Sequence, residues 1–155
     1  MINKDAIIKN KHKDYSCYYG AGNLINFCGY HETGVSIVDD QHRGLVGTIN
    51  TLFHYMRKSH GGSIAQPIIV TFRNYTGVHY YTEKSLLAFA DEAEEDQYDQ
   101  EFEDLHQQLF RVETLFRRSK SPDELLDYLK NWWLRHMEGH AKYFIPYNPT
   151  EDLTN

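Results

Sequence analysis

The chain has no long apolar run. Runs such as Pro67-Ile68-Ile69-Val70 fall far short of the roughly 20 residues that cross a bilayer, so no membrane partner is expected. Cysteine is scarce: Cys17 and Cys28 alone cannot make a disulfide framework, and a reducing cytoplasm is the expected setting. Basic charge is also in short supply. With 16 Lys and Arg against 22 Asp and Glu, the net charge of -6 argues against the phosphate-binding surface of a nucleic-acid domain. The opening stretch from Met1 to Asp14 has basic residues but no apolar core and no small-residue cleavage site, so it is not expected to be a secretory signal. What the chain has in abundance is histidine, 9 in 155 residues, and aromatic rings: 12 tyrosines, 8 phenylalanines and 2 tryptophans. The length suits one domain with one sizeable core.

Residues 1–38 show no sustained period and read as an irregular arm, laid over the core through aromatics such as Tyr15, Tyr18 and Tyr19, with a short turn near Asn23 to Phe27. From Asp39 the pattern turns helical: Val46, Ile49, Phe53 and Met56 recur at three and four residues. Gly61-Gly62 is the expected end of that helix, and Pro67 the expected start of the next. The second helix then runs through Phe72, Tyr75, His79 and Glu83, although Ile68 to Phe72 also fits a buried strand. Nine acidic residues between Asp91 and Asp104 predict a solvated turn, followed by a third stripe of Phe102, Leu105, Leu109, Val112 and Phe116. Ser121-Pro122-Asp123-Glu124 is a strong helix start, with two acids at the positive end of the dipole. Leu125, Leu129, Trp132, His136 and Tyr143 follow on one face until Pro146. The expected fold is all-α: an antiparallel up-down four-helix bundle over 39–147, with breaks near 60–66, 90–98 and 118–121 and a tail or cut linker at 148–155.

Five histidines fall on the inward stripes or beside them. His42 is on the first helix, His79 on the second, His106 on the third, and His136 and His140 on the fourth. A single buried histidine is most often a satisfied core residue. Histidines on all four inward faces point instead to a metal site, because imidazole is the commonest metal ligand and bundle cores build such sites from facing helices. Spacing supports this: His79 and Glu83 stand four apart, Glu103 and His106 three apart, and His136 and His140 four apart.

Residues 34–147 resemble the bacterial hemerythrins. The stretch Gly34 to Leu45, continued by Ile49 to Leu52, is similar to that family's first-helix signature. Tyr75 to Glu83 resembles its second-helix motif, and Trp132 to His136 with Pro146-Tyr147 its fourth. The resemblance implies two non-haem Fe ions joined by an oxo or hydroxo bridge, held by five histidines, one glutamate and one aspartate, with O2 as ligand. On matching positions, His42 and His79 would hold the O2-binding iron, Glu83 would bridge, and His106 and His136 would hold the second. Two family ligands are missing, at Phe102 and Ala141. Either Glu103 and His140, one residue away from each, restore the count of seven, or the site is degenerate and has lost one iron or both.

The function implied is reversible O2 binding, or O2 or redox sensing, and not enzymatic catalysis. The spelling from Val38 to Leu45 with Trp132-Trp133 is more similar to domains joined to a signalling output than to free carriers. The alternatives are a metal-poor helical interaction module and a di-iron oxidase or peroxidase.

Overall fold

A computed structural model describes residues 22–28, 32–58, 61–87, 89, 91–119 and 121–143, without the side chains of 61–63 and 140–143. Four helices make up the fold: α1 (Ser36–Met56), α2 (Gly61–Leu86), α3 (Glu92–Ser119) and α4 (Asp123–Tyr143). Each packs on its neighbour in sequence, and α4 closes against α1. This is the expected all-α bundle. Ile68 to Phe72 is helical, not a strand. No helix among the described residues is long and apolar enough to cross a membrane.

Two boundaries differ from the sequence expectation. Helix α1 stops at Met56, and α2 already begins at Gly61 and carries Pro67 inside it. The proline lies on an exposed face, while Ala65 and Ile69 on either side are buried. The acidic stretch is not a turn either, since α3 starts at Glu92. Asp91 Oδ1 accepts the Glu94 N–H at 2.9 Å, and Glu92, Glu94 and Glu95 occupy the first turn, where negative charge favours the helix dipole. The ammonium of Lys84 on α2 then pairs with Glu95 and Asp99 at 3.0 and 2.7 Å. The third break, between Ser119 and Asp123, falls where expected.

One core runs through the bundle, built on Leu45, Ile49, Ile69, Phe72, Leu109, Phe116, Leu129 and Trp133. At Gly44 the α1 backbone meets Tyr75 of α2 so closely that a Cβ there would stand 2.5 Å from the tyrosine oxygen. Part of the arm is pinned to this core: Asn50 accepts the Ile25 N–H at 3.0 Å and donates to the Ile25 carbonyl at 2.8 Å, and Phe27 packs on Trp133. Leu24 and Ile25 form the bend foreseen there. The tyrosines of the arm lie outside the described residues. Asp39, itself buried, fixes the approach to α1 by accepting from the Thr33 N–H, the Thr33 hydroxyl and the Gly34 N–H, with Gly34 in the left-handed region at φ 87°. Cys28 is engaged in a disulfide, so its sulfur is neither a nucleophile nor a ligand.

In the last third of α3 a carboxylate is buried in the core. Glu113 of α3, 1% exposed, receives the Arg73 guanidinium at 2.5 Å, the Arg117 guanidinium at 2.5 Å and the Gln66 amide at 2.6 Å. Two fixed positive charges thus answer one buried negative charge.

Candidate metal centre

Antiparallel packing brings the first third of α1, the last turns of α2 and the last third of α4 to one end of the bundle. There His42, His79, Glu83 and His136 converge, with one donor atom from each lying within 4.8 Å of all the others. His42, His79 and Glu83 are buried, and His136 is 14% exposed toward an adjoining cleft. The spacing of His79 and Glu83, one turn apart, stacks imidazole and carboxylate on the same face of α2, as the sequence suggested.

The donor atoms stand at ligand-like separations. His79 Nε2 lies 2.8 Å from Glu83 Oε1 and 2.9 Å from His136 Nε2. His42 Nε2 lies 3.2 Å from His136 Nε2 and 3.4 Å from Glu83 Oε1, and His136 Nε2 lies 3.7 Å from that oxygen. Bonds of about 2.0–2.2 Å to one ion place neighbouring donors roughly 2.8–3.6 Å apart in octahedral to tetrahedral sets. The group can therefore hold a metal ion.

Hydrogen-bond direction makes the case stronger. The Val78 carbonyl can only accept, so the Thr82 hydroxyl donates to it at 3.0 Å, and the Thr82 oxygen accepts from Gln41 Nε2 at 3.0 Å. The Gln41 oxygen then faces His79 Nδ1 at 2.9 Å and accepts the hydrogen bond of its N–H. A neutral His79 consequently turns the lone pair of Nε2 toward Glu83 Oε1, another lone pair, at 2.8 Å. Two acceptors at that distance need a cation between them. A proton satisfies one such contact; a metal ion satisfies all four donors at once. Orienting a ligating histidine through its second nitrogen is the usual outer support of a metal site.

Aromatic rings close the group on the core side. Trp132 stacks on His136 with ring centres 4.9 Å apart and planes 9° apart, and Trp133 meets the His42 ring edge-on at 5.5 Å. The second oxygen of Glu83 accepts the Tyr98 hydroxyl of α3 at 2.9 Å. Tyr98 stacks on Tyr80, which stacks on Phe102 and donates to Asp99. Burial, with Asp99 beside it, pushes the Tyr80 phenol up to about 12.

Of the remaining sequence candidates, His106 and Glu103 lie elsewhere. His106 is half-buried between α2 and α3 and packs on Phe102 at 4.4 Å, outside the converging group. Burial holds its imidazole below the usual histidine range; Glu103 opposes the shift, and Arg73 reinforces it. The reason is register: Tyr98 is the α3 residue level with Glu83, and His106, eight residues on, stands roughly 12 Å farther along the axis. Glu103 is exposed and accepts from Gln107 at 3.3 Å, so it does not reach the group. The side chain of His140 lies outside the described residues. Tyr98 was missed because tyrosine carries no ligand spacing signal. Its position four residues before Phe102, on the apolar stripe, was the available clue.

A cleft of about 510 Å³ opens beside the group, between α2, α3 and α4, with His79, Glu83, Tyr98 and His136 in its wall. No protein-family model, curated protein or solved structure matches the chain, so any reading of this centre stands on its own residues.

Proposed function

We propose that the protein binds a first-row transition metal ion, iron foremost, between His42, His79, His136 and Glu83, and uses it for reversible O2 binding or redox sensing. The single observation that carries this reading is the meeting of three imidazole nitrogens and one carboxylate oxygen in a buried, aromatic-walled end of the bundle. Mixed nitrogen and oxygen donors of this kind suit iron. When bound, the ion supplies electron transfer and coordination positions left open by a four-donor set.

The chain's own residues do the rest. Gln41 holds His79 in the tautomer that presents Nε2. Glu83 brings the negative charge that offsets the cation, and Tyr98 fixes its second oxygen. Trp132 and Trp133 exclude water from the core side. An input role for a linked signalling output follows from the hemerythrin resemblance of α1 and α4, and rests on that alone.

One ion per chain is the count these four donors favour. Two irons form the second reading, favoured by the second oxygen of Glu83, which faces the cleft side at Tyr98; it needs a further donor such as His140. Metal analysis after anaerobic reconstitution with Fe(II) decides. About one iron per chain, lost in His42→Ala, supports the first reading, and about two supports the second. Iron near zero returns the protein to a metal-poor interaction bundle. An O2-dependent, reversible near-ultraviolet change tests the O2 role.

A further inference from the structure

The cleft beside the centre is far larger than a diatomic ligand requires. It measures about 510 Å³, inside the range of roughly 300–1,000 Å³ typical of sites for organic molecules, against about 30 Å³ for a single water. Its character changes with depth. The inner wall carries buried Trp132 and half-buried Phe102 and Leu105, continuous with the metal donors. The outer wall carries exposed Glu101 and Asp104 from α3 and exposed Glu138 and Arg135 from α4. Three carboxylates against one guanidinium leave the mouth net negative. Low-dielectric walls focus such a charge on whatever enters.

We propose that this cleft binds a small aromatic primary amine, its ring held between Phe102, Leu105 and Trp132 and its ammonium at the Glu101, Asp104 and Glu138 mouth. The aromatic walls offer a packing surface to the ring of the ligand, and the mouth carboxylates face its ammonium. An anion of the same size meets three carboxylates on the way in. The proposal rests on the metal reading only for what lies at the inner end of the cleft; selection for an amine depends on the walls and the mouth. Its consequence is that the centre is open to an organic ligand as well as to O2.

The test compares three molecules with one body and different charge: phenethylamine, 2-phenylethanol and 3-phenylpropionate. Binding to the full chain is followed by calorimetry and by the combined fluorescence of Trp132 and Trp133, with metal content measured on the same samples, Zn(II)-loaded and chelated. Phenethylamine is expected to bind on the order of tenfold tighter than phenylpropionate at low salt, with the preference shrinking as salt rises. The variant Glu101→Gln/Asp104→Asn/Glu138→Gln should abolish the wild-type preference for the amine or turn it toward the anion, because Arg135 is then the charge left at the mouth, at unchanged metal content. Gly139→Leu supplies an occluding variant, since a Cβ at this cleft residue meets nothing within 4 Å and the helix gains from losing a glycine. It should abolish amine binding without loss of folding or metal. Equal or reversed preference, no amine binding, or amine binding untouched by Gly139→Leu overturns the proposal. A wild-type chain that takes up no metal but still selects the amine overturns the metal reading alone.

Discussion

Glu83 and Glu113 are both 1% exposed and both inside one bundle, and Glu113 stands roughly 22 Å along α3 from Tyr98, the residue level with Glu83. Their surroundings differ in kind. Glu113 is answered by Arg73, Arg117 and Gln66, cations and an amide that carry their charge and protons at every ordinary pH. Glu83 is surrounded by three imidazoles, which carry positive charge only when a proton or a metal ion is added, and by the Tyr98 hydroxyl, a neutral donor. The bundle thus contains a finished ion pair and a set of donors arranged for a cation. A buried carboxylate alone does not mark a function; the type of group facing it does.

The Glu113 ion pair should be the costlier of the two to disrupt. Replacing Arg73 and Arg117 together by methionine leaves a buried carboxylate with no guanidinium, and should cost about 3–5 kcal/mol of stability. Denaturant unfolding measures it, and metal binding at the other end should be unchanged. A loss below about 1 kcal/mol would mean that Glu113 reaches water or a proton readily, and that the two carboxylates are less different than their neighbours suggest.

Glu83→Gln sharpens the contrast. In the chelated protein the amide removes a buried charge, so stability should hold or rise. In the metal-loaded protein the same change removes a ligand. With free metal at 100 times Kd the wild type gains about 2.7 kcal/mol, and most of that gain should vanish. Glu113→Gln should destabilise equally with and without metal. Thermal melts of both variants in both states read the difference, and identical behaviour would refute a metal role for Glu83.

A smaller effect is expected one step out from the donors. Gln41→Ala frees His79 Nδ1 from its acceptor and lets the ring turn, which should weaken metal affinity about 10–100-fold while leaving the fold intact. Competition with a chelator measures this. Unchanged affinity would show that packing alone orients His79.

The bundle was legible because apolar residues repeat at helical spacing over four long segments, and because Ser121 to Glu124 starts a helix so clearly. His42, His79, Glu83 and His136 were legible because each lies on an inward stripe, two of them one turn apart. The third helix was not. Its acidic first turns, Glu92 to Asp96, look like a solvated loop when read locally, yet they extend α3 by nearly two turns at its favoured end. That extension sets which α3 residue stands level with Glu83, and it makes it Tyr98. Register between helices depends on where each one begins, and a helix-period pattern leaves that start open.

The same register decides the smallest effect. If α3 lay one or two turns farther along, His106 and Glu103 would face the donors, and truncating either would strip metal from the protein. With Tyr98 at that level, Glu103 projects to solvent beside Gln107, and Glu103→Ala should change stability by no more than about 0.5 kcal/mol and metal content not at all. His106→Ala should cost some stability through lost packing on Phe102, again with metal content intact. The imidazole of His106 should also titrate below the usual histidine range, because burial disfavours its charged form. Its contribution to stability is then complete above that range and is lost as pH falls, because the unfolded chain takes up the proton first. Histidine NMR across an acid titration, with and without metal, reads all of this together. A His106 resonance that stops titrating when metal is added would place it among the ligands and move α3 back to the register its sequence suggested.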